Sequence, residues 1–330
     1  MNNLLAYAGF FAFVNLMTSS YETFSRDGHK LDVLTDGSND GLRIVVSRSG
    51  AELVSLERRD AMGKWTGFLF RDGDVSKAAT GWNNHATVMG YYLHRIKNER
   101  TLYRGHEIRG GTHSFLRHKI FAAPKVDTLD GGLMIYRLDP AQIAEDEYPY
   151  KVAFTITYSL NRGVLKVTFH FENQEPELST HVSFGLHPGF AATSMESAEV
   201  LMPAGKYVRH FAPDNFLSGE TEEIDFPGGA MPFKKSELEG SFLLELKKVE
   251  LPLFTFLDRE SGREVMLNFS GAPYVTIWSS GQNFICVEPC WGLPDHHEQR
   301  VFEKKEGIEK IEPGKKLVRS FTISPDFRKS

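Results

Sequence analysis

Between Lys151 and Asn173 apolar and polar residues alternate through KVAFTITYSL and VLKVTFHFEN, interrupted only by Asn161-Arg162-Gly163. Successive side chains of a strand point to opposite faces, so a period of two fits a half-buried strand and not a helix. Both runs are rich in β-branched and aromatic residues, and Asn-Arg-Gly has the composition of a hairpin turn. The design recurs from Leu253 to Ser270, turning at Glu260-Ser261-Gly262, and from Tyr274 to Pro289, turning at Ser280-Gly281-Gln282-Asn283. Shorter strands are expected over Leu42–Arg48, Ala51–Glu57, Leu133–Leu138, Phe242–Leu246 and Leu317–Ser324. No segment carries a helical stripe of three turns, and helix is expected only in short pieces near Asp139–Ala144 or Lys234–Glu239. Many strands with short turns make antiparallel sheets packed face to face, or a closed barrel.

The 330 residues are 41% hydrophobic and 12% aromatic, enough to fill a large core. No linker, repeat or shift in composition divides them, so residues 23–330 are expected to form one domain. Residues 1–22 read as an apolar extension. Its stretch Leu4 to Met17 has no Lys or Arg before it and no A-x-A-like site after it, and it is shorter than the ~20 residues of a membrane span. A net charge of -5 argues against nucleic acid as a partner, and the lysines between Lys304 and Lys316 alternate with glutamates. Cys286 and Cys290 on one strand would have Cα atoms roughly 13 Å apart, too far to bridge. Unbridged thiols fit a reducing compartment, and a cytoplasmic location is expected.

Nucleophile elbows, phosphate loops, dinucleotide fingerprints and zinc spacings are missing from the sequence. Asp295, His296, His297 and Glu298 have a metal-like composition, but consecutive residues diverge, and they read as a hydrated turn. Three histidine-bearing stretches and one carboxylate remain. His113 lies in GGTHSFLRH. His187 lies in THVSFGLHPGF, before a proline that forces the chain to turn. Glu288 sits in the apolar run FICVEPCWG, where desolvation would raise its pKa and make it a candidate proton acceptor. His85 and His181 read as structural.

Taken in order, THSFLR, HPGF and YVTIWSSGQNFICVEPCWGLPD resemble the aldose 1-epimerases, the galactose mutarotase-like proteins, and the resemblance runs from about Leu42 to Ser324. It implies an all-β fold, a large antiparallel β-sandwich of the supersandwich type, with a sugar lying across its concave face. Carried over residue by residue, it makes Glu288 the catalytic base and His187 the catalytic acid. His113 then falls on a second histidine that hydrogen-bonds the sugar, and Arg95, in GYYLHRIKN, on a substrate-binding arginine. Glu239, in ELEGSF, stands where many members have an Asp that contacts sugar hydroxyls. The usual Asn of the histidine loop is replaced by Gly110-Gly111-Thr112, which marks a divergent member.

The implied activity is an isomerase reaction. A proton leaves the anomeric hydroxyl, another reaches the ring oxygen, the ring opens, and the steps reverse on the other face. It calls for no cofactor and no metal, and the expected partner is a small sugar, with no membrane, the protein being a monomer or weak homodimer. His187 and Glu288 are expected to face one cleft with a sugar-sized gap between them, with His113 on the rim. Trp278, Trp291 or Phe190 could form an apolar platform for the sugar. Two alternatives stand beside a hexose 1-epimerase. One is an epimerase of sugar phosphates, with Arg95, Arg117 or Arg104 as clamps. The other is a non-catalytic carbohydrate-binding protein. A glycoside hydrolase would need a second, opposed carboxylate.

Overall fold

A computed structural model describes residues 19–38, 41–129, 131–231 and 234–328. Its architecture is the all-β one that the alternating pattern predicts. Nine strands form one sheet, in the order Gly229–Ala230, Ala198–Met202, Leu253–Asp258, Arg263–Asn268, Lys316–Phe327, Val164–Asn173, Val152–Asn161, Gly132–Leu138 and Lys125–Asp127. A second sheet of seven carries the site and is labelled here in chain order: β1 (Ala86–Met89), β2 (Phe184–Ala191), β3 (Gly205–His210), β4 (Thr221–Phe226), β5 (Phe242–Lys248), β6 (Tyr274–Trp278) and β7 (Phe284–Trp291). Their spatial order is β4-β3-β5-β6-β7-β2-β1, with antiparallel neighbours throughout.

The hairpins form where the turn residues place them. Val152–Asn161 pairs with Val164–Asn173 across Arg162 and Gly163, both with positive φ. The buried residues of the second strand, Leu165, Val167, Phe169, Phe171 and Asn173, follow the period of two. Phe169 and Phe171 carry that face onto the other sheet, where ring centroids lie 5.9 Å from Trp291 and 4.7 Å from Phe184. The inter-sheet core is therefore aromatic, and each such ring buries far more apolar area than an aliphatic side chain would.

A five-stranded meander, Ser20–Arg26, His29–Thr35, Leu42–Ser47, Glu52–Arg59 and Trp65–Gly67, completes the packing. Its buried Asp32 accepts hydrogen bonds from Tyr21 (2.7 Å), from two nitrogens of Arg48 (2.8 Å each) and from Tyr136 of the nine-stranded sheet (3.0 Å). The meander thus begins at Ser20, inside the segment read as an extension; the remainder of that segment, residues 1–18, lies outside the described residues. Helix is confined to short turns among the described residues, including Lys235–Glu239 and the 3-10 turn Pro140–Gln142, both where short helix is expected. No helix among those residues is long and apolar enough to cross a membrane. Cys286 and Cys290 are unbridged and buried.

Candidate active site

Period two divides the seven-stranded sheet into two chemically different faces. On β7, Ile285, Val287 and Trp291 join the inter-sheet core, while Cys286, Glu288 and Cys290 point the other way. On β2 the core face holds Phe184, Leu186 and Phe190, and the opposite face Gly185, His187 and Gly189. The β2–β7 ladder pairs Gly185 with Cys290 and Gly189 with Cys286, which sets His187 midway, opposite Glu288. The same row continues through Thr276 and Leu243 on one side and Thr87 on the other. It forms the floor of a cavity of about 320 Å³. Ligand pockets run from roughly 300 to 1,000 Å³, so this one suits a single small molecule.

His187 Nδ1 lies 3.4 Å from Glu288 Oε1. This differs from the expected sugar-sized gap, and the register explains why: directly opposed residues on neighbouring strands have Cβ atoms within about 5.5 Å. The contact is not aligned as a hydrogen bond, and neither Glu288 oxygen nor His187 Nδ1 has another partner among the described residues. Buried polar atoms are normally satisfied, and those left unpaired in a cavity wall are the ones a ligand can engage.

Burial sets the protonation of the site. It drives the Glu288 carboxyl well above the ordinary carboxylate value of 4.5. Burial, followed by the fields of His94 and Arg117, lowers His187 from 6.5 to about 3. The pair therefore rests as a carboxylic acid beside a neutral imidazole and holds one exchangeable proton. His94 falls to about 3, through burial and then Lys305. His113 is held well below 6.5 by burial and then by the neighbouring histidines and arginines.

The walls come from loops. His113 follows two glycines, adopts φ 64°, and donates its backbone N–H to His94 O at 2.7 Å. Its ring stands edge-on to that of His187, with centroids 5.1 Å apart. The left-handed region is costly for a residue with a side chain, and such strain gathers at functional sites. Arg95 lines the cavity and is exposed; Arg117 also lines it and donates to Asn84 Oδ1 at 3.1 Å. Arg104 stands elsewhere, over Tyr103 and Tyr150.

Glu239 is not gathered into the cavity: it is exposed at the end of the Lys235–Glu239 helix, beside Gly281. Trp278 is in the wall, whereas Trp291 and Phe190 point into the inter-sheet core. His85 contacts Asp74 O (2.8 Å) and His181 contacts the Tyr103 hydroxyl (3.0 Å), which fits their structural reading. In the turn that looked metal-like, Asp295 accepts the backbone N–H of Lys97 and His296, and His297 lies 3.1 Å from Leu217 O.

The sequence reading missed Trp82, His94 and Thr276. Thr276 was accessible, since it lies two residues from Trp278 on one strand. Trp82 stands in a loop without periodicity; its ring lies 5.1 Å from that of His187 and stacks on Phe284 at 4.8 Å.

Comparison with known proteins places this geometry in context. The family model described as aldose 1-epimerase matches residues 32–317. The plasmid and chromosomal LacX proteins of Lactococcus lactis subsp. lactis are each 23% identical over 305 residues, covering 87% of this chain and 97% of the relative. Among solved structures, a galactose mutarotase-related enzyme from Lactobacillus acidophilus superposes with a TM-score of 0.76 at 21% identity, covering 93% of this chain and 97% of that one. A galactose mutarotase-like protein from Lactobacillus casei ATCC 334 gives 0.75 at 21% identity, covering 89% and 100%. At these identities the structural likeness speaks for the fold: an antiparallel β-sandwich of the galactose mutarotase type.

Proposed function

Because the chain belongs to the aldose 1-epimerase family, we propose that it is itself an aldose 1-epimerase, an isomerase that interconverts the α and β anomers of a hexose. The observation that carries this reading is the opposition of His187 and Glu288 on the cavity floor, 3.4 Å apart. The anomeric hydroxyl and the ring oxygen are bonded to the same carbon, so a base and an acid this close can serve both oxygens from one side of the sugar. The sugar then lies over the pair, not between its members.

In this reading Glu288 takes the proton of the anomeric hydroxyl and His187 delivers one to the ring oxygen; the ring opens, the aldehyde rotates, and closure returns the protons. The single proton of the pair must first move from the carboxyl to the imidazole, which requires the two side chains to turn from their 3.4 Å contact into hydrogen-bond alignment. Each positioned group contributes roughly 10²–10⁴-fold to such a reaction. His113 offers Nδ1, which has no partner among the described residues, to a sugar hydroxyl. Arg95 binds at the exposed mouth. Glu239 would act only at the rim, since it does not line the cavity. The two unbridged thiols support a cytoplasmic location.

A second reading keeps the chemistry and changes the substrate to a sugar phosphate. It is supported by two arginines, Arg95 and Arg117, in the wall of one cavity, since guanidinium forks suit phosphate oxygens. Polarimetry of fresh α-anomers of glucose, galactose and glucose 6-phosphate tests both. Acceleration of any of them supports the epimerase. If glucose 6-phosphate is preferred and Arg95→Ala and Arg117→Ala abolish the preference, the phosphate reading stands. Sugar binding without acceleration would leave a carbohydrate-binding protein.

A further inference from the structure

Beneath the acid–base pair, β7 carries a buried side chain that the proposed chemistry does not use and that does not itself line the cavity. Cys286 precedes Glu288 by two residues on β7, so the period of two puts thiol and carboxyl on one face, and His187 approaches from β2. The ligating atoms of His187, Cys286 and Glu288 all lie within 4.8 Å of one another, and all three residues are buried. Both Glu288 oxygens and His187 Nδ1 have no hydrogen-bond partner among the described residues, and Cys286 is a free thiol.

We propose that His187, Cys286 and Glu288 form a three-ligand binding site for a borderline-soft divalent cation such as Zn²⁺. One nitrogen, one sulfur and one oxygen donor suit zinc or cobalt and not magnesium or calcium, which take oxygen ligands. Zinc bonds of roughly 2.0–2.3 Å set tetrahedral ligands about 3.3–3.8 Å apart. The His187–Glu288 contact of 3.4 Å already meets that spacing, and the Cys286 sulfur, within 4.8 Å of both, has to draw in to reach it. Two of the three ligands, His187 and Glu288, line the cavity, so a fourth ligand would enter from that side, as in open zinc sites. On binding, the cation replaces the thiol proton of Cys286 and the carboxyl proton of Glu288, and both protons leave to solvent.

The cation would occupy the lone pairs that proton transfer needs, so it acts as a reversible inhibitor and not as a cofactor. That consequence rests on the epimerase reading; the binding does not. Cys286 is paired with Trp278 on one side and Gly189 on the other, and the Trp82 ring fills the space above Gly189, so a cation reaches the thiol from the side of His187 and Glu288, which line the cavity.

Cobalt titration of the metal-free full chain, without sugar, tests the site directly. The expected result is a thiolate-to-cobalt charge-transfer band saturating at one equivalent and displaced by Zn²⁺. Cys286→Ser should remove the band and weaken zinc binding, measured against a chromophoric chelator, by about tenfold or more. Cys290→Ser should change neither. His187→Asn should weaken zinc binding to a similar extent while leaving both thiols in place, which separates ligation from any packing defect at residue 286. A wild-type protein without the band, or a band that survives Cys286→Ser, overturns the site. Neither result touches the epimerase reading, and an inactive protein that still shows the band leaves the site standing.

Discussion

The ring of Trp82 occupies the space that a side chain at residue 189 would fill: a Cβ on Gly189 would lie 2.5 Å from Cζ3 of that ring. Gly189 shares a face with His187, and Trp82 packs against both, so a backbone position two residues from the acid–base pair fixes one wall of the cavity. Gly189→Ala should therefore push Trp82 aside, cost roughly 1–3 kcal/mol through overpacking, and raise KM for the sugar. In a Trp82→Ala background the same substitution should cost far less, because the clashing partner is gone. Denaturant unfolding of the four proteins checks this; equal costs in both backgrounds would show that Trp82 does not hold this wall.

The pair needs one proton to work, and the pH dependence reports where that proton sits. His187 is lowered to about 3 and Glu288 raised well above 4.5. Between those limits the pair keeps one proton. Anomer exchange should then show no step at pH 4.5 or pH 6.5, where an ordinary glutamate and histidine titrate. It should fall in acid only as His187 takes a second proton and the base is lost, and fall in alkali as Glu288 loses the only proton. A step near 6.5 that disappears in His187→Asn would contradict this protonation scheme.

Glu288 should also weaken the fold. Its carboxyl is 1% exposed and unpaired, and its folded pKa is raised, principally by burial. Below pH 4.5 both folded and unfolded chains carry the proton and nothing is lost. Above it the unfolded chain ionises while the folded one does not, so stability declines with rising pH. Glu288→Gln should stabilise the protein by about 1–3 kcal/mol at neutral pH, with a smaller gain at pH 4. Thermal melts at both values measure this; a destabilised Gln variant at neutral pH would refute it.

Asp32 shows the opposite balance. Burial acts to raise its pKa, but hydrogen bonds from Arg48, Tyr21 and Tyr136 outweigh it and hold the carboxylate below 3.8. The stability it supplies is present above that value and lost as pH falls through the depressed pKa. Asp32→Asn strands Arg48 in a site where that residue is largely buried, and should cost roughly 3–5 kcal/mol with kcat unchanged, since this network lies in the meander and not in the cavity. Loss of turnover at unchanged stability would contradict that separation.

The sheets were legible where apolar contrast was strong and turns carried glycine, as at Arg162-Gly163. The meander's first strand was not, because Ser20–Arg26 is mostly exposed and offers no apolar face to read. A signal did exist there: Asp27-Gly28, both with positive φ, is a two-residue hairpin turn. His187 and Glu288 could be singled out because each stands on a strand next to a proline and among apolar neighbours. Their direct opposition could not, since register between strands a hundred residues apart is set by tertiary pairing. Trp82 and His94 lie on loops, where no periodicity marks a residue as facing inward.

The central claim is that Glu288 and His187 act as an acid–base pair, and it is tested most directly by anomer exchange in Glu288→Gln. Gln keeps the size and polarity of the side chain and removes its acid–base function. The rate of α–β exchange, followed by NMR under saturating sugar, is predicted to fall roughly 10²–10⁴-fold with sugar affinity nearly unchanged. Adding His187→Asn should cost much less than the product of the two single effects, because both groups serve one transfer. A Glu288→Gln protein that exchanges anomers at the wild-type rate would contradict the account.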